Sequence, residues 1–117
     1  MPEPTLLIVE DDEMTAAMLE TIGSSAGYQT FHADNGVSAI ELFQRNSPDV
    51  ILLDINLPEL SGFSFASLVR QFSTYQPRII VVTSTPADYE EHLKELTDGC
   101  LLKPIKRQEL LDILQQV

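Results

Sequence analysis

The sequence is short of positive charge. It has 7 Lys and Arg against 18 Asp and Glu over 117 residues, a formal net charge of −11, and its first cation is Arg45. Nucleic-acid binding draws most of its affinity from cations that neutralise phosphates, so this composition argues against a polyanion partner. Anionic membrane surfaces are disfavoured for the same reason. Cysteine is nearly absent as well. Cys100 stands alone and can close no internal disulfide, which points to a reducing compartment. Long apolar runs are missing, and no segment approaches the roughly 20 residues that cross a bilayer. The opening Met1-Pro2-Glu3-Pro4 has no basic segment and does not read as a signal peptide. With 44% hydrophobic and 21% charged residues the chain is globular rather than disordered. The expectation is a soluble, cytoplasmic, single domain spanning residues 1–117, with a core that needs no disulfides.

What is present alternates between two patterns. Short continuous apolar runs read as strands buried on both faces: Leu6-Leu7-Ile8-Val9, Val50-Ile51-Leu52-Leu53 and Ile79-Ile80-Val81-Val82. Tyr28 to Ala33, after Gly27, and Cys100-Leu101-Leu102 are weaker strands. Between them lie helical spacings. Met14, Met18 and Ile22 mark a first helix and are expected in the core. Val37, Ile40 and Leu42 or Phe43 mark a second, opened by Asn35-Gly36. Phe63, Ala66 and Val69 mark a third. Tyr89, Leu93 and Leu96 mark a fourth, closed by Gly99. Leu110, Ile113, Leu114 and Val117 mark a fifth. Strict alternation of strand and helix predicts an α/β fold: a doubly wound, five-stranded parallel sheet with helices on both faces, in the order 2-1-3-4-5.

In such a sheet ligands bind beyond the carboxyl ends of the strands, where the strand order reverses. Strand 1 ends in Glu10-Asp11-Asp12, strand 3 in Asp54, strand 4 in Thr83-Ser84 and strand 5 in Lys103-Pro104. Clustered carboxylates repel one another unless a cation sits among them, and hard oxygen ligands suit Mg²⁺. A lysine and a hydroxyl at the same edge can hold an anion such as a phosphoryl group. A carboxylate so placed can act as a nucleophile toward phosphorus.

These segments resemble those of response-regulator receiver domains. The resemblance rests on Leu6 to Asp12, Asp49 to Pro58 with the following Ser61-Gly62, Ile80 to Ser84 and Leu102-Lys103-Pro104, and it runs through nearly the whole chain. It implies the flavodoxin-like (βα)5 fold of that family. It also implies that Asp54 is the phosphoacceptor, charged by a histidine kinase or a histidine phosphotransfer protein in a Mg²⁺-dependent reaction. Glu10 and Asp11 match the acidic pair that organises the metal, with Asp11 the direct ligand. Asp54 and the backbone carbonyl of Asn56 match further ligands. Thr83 matches the hydroxyl that turns toward the phosphoryl group, and Lys103 the lysine that pairs with it. The Lys103-Pro104 bond is expected to be cis by the same resemblance. Such modules are phosphoacceptors rather than turnover enzymes. They act on a downstream partner or on an output domain, which this chain is expected to lack, and as monomers or weak homodimers.

Plainer roles stand beside these. Asp12 and Glu13 read as acids at a helix start, favoured by the helix dipole. His32 and His92 have no partner acid at recognisable spacing and read as exposed bystanders. Alternatives for the whole chain are a pseudo-receiver acting as an interaction module, an Asp-nucleophile hydrolase and a flavodoxin-like cofactor binder. The hydrolase needs a second acid two residues after Asp54, where Asn56 stands. The cofactor binder needs a phosphate-cradling loop where four acids stand. The chain departs from the receiver pattern in two places. Cys100 occupies the usual aromatic position three residues before the site lysine, and the stretch from Leu96 to Cys100 is short. Signalling is therefore expected to run through ordering of the loop from Ser84 to Asp88.

Overall fold

The computed structural model describes residues 3–72 and 74–115. In chain order its elements are β1 (Thr5–Val9), α1 (Glu13–Ser25), β2 (Gln29–Ala33), α2 (Gly36–Asn46), β3 (Val50–Asp54) and α3 (Gly62–Phe72). They continue with β4 (Arg78–Thr83), a 3-10 turn (Pro86–Asp88), α4 (Glu91–Leu96), β5 (Gly99–Leu102) and α5 (Arg107–Leu114). The sheet is entirely parallel, in the order β2-β1-β3-β4-β5.

The apolar runs form the central strands because both of their faces are covered. Side chains alternate along a strand, so each run feeds two cores. Leu7, Val9, Ile51, Leu53, Ile79 and Val81 face Ala39 and Phe43 of α2, Phe65, Ala66 and Val69 of α3, and Leu93 of α4. Leu6, Ile8, Val50, Leu52, Ile80 and Val82 face Leu19 and Ile22 of α1 and Leu110 and Leu114 of α5. At about 25 cal/mol per Å² of apolar area removed from water, these two layers are the main stabilising term. Asp12 caps α1 through Thr15 N–H at 2.9 Å, and Asn35 caps α2 through Ser38 N–H at 2.9 Å. Each cap satisfies a donor that a helix start would otherwise leave unpaired. Gly27 allows the chain to leave α1 with φ +92°, where a side chain would be strained.

The helix faces differ from the expected ones. Exposure along α1 falls from 83% at Met14 to 38% at Met18 and 3% at Ile22. A strict four-residue repeat rotates about 40° per step on a 3.6-residue helix, so this line spirals from solvent into the core. The residues α1 buries are Ala16, Leu19, Ile22 and Gly23, and the two methionines are not core residues. Val37 and Phe63 are likewise exposed, at 70% and 49%. Gly99 does not close α4: that helix ends at Leu96, and Gly99 is the first residue of β5. The fifth-helix position Val117 lies outside the described residues.

Candidate functional site

The carboxyl edge of β1, β3, β4 and β5 brings most of the expected residues together. Glu10 is the first residue after β1. Its N–H donates to Ala33 O at 3.0 Å, which extends the ladder by one bond and fixes the carboxylate at the sheet edge. Asp54 is the last residue of β3 and is paired in register with Val82 of β4. Both are buried, with 1% and 4% exposure, at the ends of the apolar runs of β1 and β3. Lys103 reaches them from the end of β5. Its Nζ donates to Glu10 Oε1 at 2.6 Å and to Asp54 Oδ2 at 3.1 Å. The backbone locks the lysine in place, since Lys103 N–H donates to Thr83 O at 2.9 Å. The Lys103-Pro104 bond is cis, as the resemblance implied.

Asp11 is exposed, and its N–H donates to Glu10 Oε2 at 3.1 Å. Carboxylate oxygens of Glu10, Asp11 and Asp54 all lie within 4.8 Å of one another, so these residues could hold a metal ion. The remaining oxygen of Asp54, Oδ1, accepts from Asn56 N–H at 2.8 Å. The loop that carries Asn56 is held close to α3: a Cβ at Gly62 would stand 2.6 Å from Ile55 Cγ2.

Thr83 is fully buried and does not bond Asp54. Its hydroxyl donates to Asn56 Oδ1 at 2.7 Å and accepts from Thr85 N–H at 3.0 Å. Asn56 Nδ2 in turn donates to Asp88 Oδ2 at 2.9 Å, on the 3-10 turn. The Asn56 side chain thus ties the threonine to the loop after β4. In the sequence the Asn56 side chain has a part only in arguing against a hydrolase and its backbone a part in the metal shell, and nothing in the spacing of residues 32 positions apart announces the link to Asp88.

His32 corrects a second expectation. Its Nε2 lies 2.7 Å from the backbone oxygen of Glu10, and its Nδ1 lies 3.7 Å from Glu20 on α1. It is half-buried and has a partner acid after all. The signal lay in strand register: β2 sets His32 beside Ile8, two residues before Glu10. His92 is exposed, as expected. Cys100 is half-buried against the core beside α4, and burial pushes its thiol pKa up.

Charge at the edge is not balanced. Burial, together with the neighbouring Asp54 carboxylate, raises the pKa of Glu10 to about 7 despite Lys103. For Asp54 burial pushes upward too, but hydrogen bonds from Glu10, Asn56 N–H and Lys103 prevail and hold it below the ordinary range. For Lys103 burial alone would lower the pKa, while its bonds to Glu10 and Asp54 raise it. One lysine therefore leaves the three acids short of positive charge, which fits a cation as a further component.

A parallel α/β sheet whose reversal point gathers buried acids, a threonine and a lysine belongs to the doubly wound proteins that bind at their strand ends. Within that class the chain belongs to the response regulator receiver domain family, whose model matches residues 6–115. Over 112 residues it is 31% identical to the autoinducer 1 sensor kinase/phosphatase LuxN of Vibrio campbellii, covering 95% of this chain. The chain spans 13% of the length of that relative. A CheY-like receiver domain from Methylobacillus flagellatus superposes with a TM-score of 0.91 at 27% identity, covering 98% of each chain. The receiver domain of sensor histidine kinase PA1611 from Pseudomonas aeruginosa PAO1, solved with magnesium in its active site cleft, gives 0.85 at 31% identity. That match covers 98% of this chain and 97% of the other. Receiver domains are phosphoacceptor modules of two-component signalling and interact with histidine kinases or phosphotransfer proteins. Among the described residues no helix is long and apolar enough to cross a membrane.

Proposed function

We propose that this chain works as one receiver domain, with Asp54 as its phosphoacceptor, charged from a phosphohistidine. The observation that carries this reading is the convergence of Lys103 on Asp54 and Glu10 at the strand ends. Asp54 Oδ1 and Oδ2 are both hydrogen-bonded, and the low pKa keeps the carboxylate ionised as a nucleophile. One carboxylate oxygen forms the new O–P bond as the P–N bond of the donor breaks. The electron pair leaves with the imidazole nitrogen, which then takes a proton. Lys103 is placed to pair with a phosphoryl oxygen once Asp54 has become an acyl phosphate, a mixed anhydride, and Thr83 can turn from Asn56 to donate to another.

The carboxylates of Glu10, Asp11 and Asp54 and the backbone carbonyl of Asn56 are the groups that would hold Mg²⁺. When bound, that ion neutralises charge on the acids and on the transferring phosphoryl oxygens. The related PA1611 receiver, with magnesium in its cleft, supports the choice of ion. Glu10, buried beside Lys103, orients the edge, while exposed Asp11 is the ligand open to solvent. The domain assists its own phosphorylation and slow hydrolysis without being a turnover enzyme.

Incubation with Mg²⁺ and a small-molecule phosphodonor should add one phosphoryl group, stable to acid and labile to base. Asp54→Asn should abolish the adduct in intact-mass spectra. An adduct that persists in Asp54→Asn would overturn the assignment.

A further inference from the structure

A cavity of about 320 Å³ opens between the start of α3 and α4, beside the loop after β3. Its apolar wall is Ile55, Phe63 and Leu93, and its rim carries Asp88, Glu90 and His92. The volume is at the low end for ligand pockets, enough for a single inserted side chain rather than a cofactor. Two features say which kind. Phe63 is 49% exposed although it is a large aromatic, and His92 holds its ring at 6.2 Å in an edge contact, leaving an aromatic face available. The charges at the rim are both negative. Lys94, the cation of α4, is engaged elsewhere, 3.6 Å from Glu91 and over the Tyr89 ring. Among the described residues neither Asp88 nor Glu90 forms an ion pair. A planar guanidinium satisfies all of this at once: it lies over an aromatic ring and pairs with carboxylates through its fork of donors.

We propose that this cavity takes an arginine side chain presented on an apolar segment of a partner protein, and that its occupancy is coupled to the phosphorylation site through Asp88, Asn56 and Thr83. Asp88 is shared between the two. It now accepts from Asn56 Nδ2 at 2.9 Å, and Asn56 accepts from the Thr83 hydroxyl at 2.7 Å. An arginine that draws the exposed Asp88 carboxylate toward the cavity pulls it from Asn56 Nδ2 and loosens the hold of Asn56 on Thr83. A Thr83 drawn toward a phosphoryl group releases Asn56 and so frees Asp88. Because coupling between sites is reciprocal, each event favours the other. The coupling, unlike the pocket itself, rests on the reading of Asp54 and Thr83 given above.

The test is a titration of the whole chain with N-acetyl-Leu-Arg-Leu-amide, followed by amide and side-chain NMR shifts. The control peptide replaces Arg with citrulline, which keeps the shape and loses the charge. The arginine peptide should shift Phe63, His92 and Leu93 and the citrulline peptide should bind at least about tenfold more weakly. Asp88→Asn and Glu90→Gln should each weaken binding, whereas Glu109→Gln and Asp112→Asn, equal charge changes on α5, should not. Equal binding of the two peptides, or shifts confined to other faces, would overturn the docking site. With Mg²⁺ and beryllofluoride present, affinity should rise about fivefold, the lower end of typical coupling. An unchanged affinity on a chain that does take up beryllofluoride would overturn the coupling and leave the pocket standing. A chain that takes up none would count against the phosphoacceptor reading instead.

Discussion

Glu10 and Lys103 are 93 residues apart in the chain and 2.6 Å apart in the fold. The lysine lies a little farther, 3.1 Å, from Asp54, so it bridges two buried carboxylates that would otherwise face each other unshielded. Removing the charge while keeping the stem isolates the effect. In Lys103→Met without divalent metal the unfolding free energy should drop by about 1–3 kcal/mol, below the full cost of orphaning a deeply buried charge because Lys103 is 24% exposed. Excess Mg²⁺ should return part of the loss by mass action. Urea unfolding with and without Mg²⁺ measures both. A variant as stable as the parent in metal-free buffer would mean that the lysine shields neither acid.

The same cluster sets a pH dependence. Glu10 is held up at about 7 in the fold against an ordinary 4.5. A raised pKa means that the fold holds this proton, so the stability it contributes is complete below about pH 4.5 and is lost as pH rises through about 7. Asp54, lowered, and Lys103, raised, change charge outside that window and leave its sign alone. Metal-free protein should therefore lose stability between pH 5 and 7, on the order of 1 kcal/mol per pH unit. Glu10→Gln should flatten the curve. Mg²⁺ needs the ionised acid, so its apparent affinity should rise with pH, up to about tenfold per unit, until about pH 7. Melting scans across pH, run with and without Mg²⁺, check all three statements.

The link from Thr83 through Asn56 to Asp88 predicts where phosphorylation is felt. Cys100 puts no ring where the resemblance leads one to expect an aromatic, so the expected route of the signal is the loop from Ser84 to Asp88. Amide hydrogen exchange should change in that loop between the Mg²⁺-bound chain and the chain with Mg²⁺ and beryllofluoride. Exchange that is identical in both states would sink this route.

Much of the fold is legible in the sequence. Val50 to Leu53 reads as a doubly buried strand because no polar residue interrupts it, and a parallel sheet then sets every strand's carboxyl end along one edge, with those of β1 and β3 side by side. Glu10 and Asp54 follow from neighbouring strand ends, whereas Lys103, with β4 between β5 and β3, was placed with them by the resemblance and reaches them through its long side chain. The helix faces were less legible. Met14 and Ile22 lie eight residues apart, and a repeat of four cannot say which end of a slowly turning line meets the sheet. Side-chain partners across elements were least legible. His32 on the Glu10 carbonyl, Asn56 between Thr83 and Asp88, and Arg70 at the base of α3 depend on register and loop placement, which hydrophobic pattern does not encode.

Arg70 carries the last prediction. From the end of α3 its guanidinium donates to Leu96 O at 2.9 Å, Pro77 O at 2.7 Å, Gln76 Oε1 at 3.1 Å and Asp98 Oδ2 at 3.0 Å. Asp98 Oδ2 also accepts from Ile79 N–H at 2.8 Å, so one carboxylate and one guanidinium fasten the end of α4 to the starts of β4 and β5. Among the described residues these carbonyls have no other side-chain donor, and a lysine cannot reach several at once. Arg70→Lys should cost about 1–3 kcal/mol, with the extra exchange localised to α4 and Asp98. The Glu91–Lys94 pair on the same side of the molecule is the control. It is a solvated ion pair at 3.6 Å with 84% and 49% exposure, and Lys94→Gln should change stability by under about 0.5 kcal/mol. If the two substitutions cost the same in urea unfolding, the Arg70 network is no more than another surface charge.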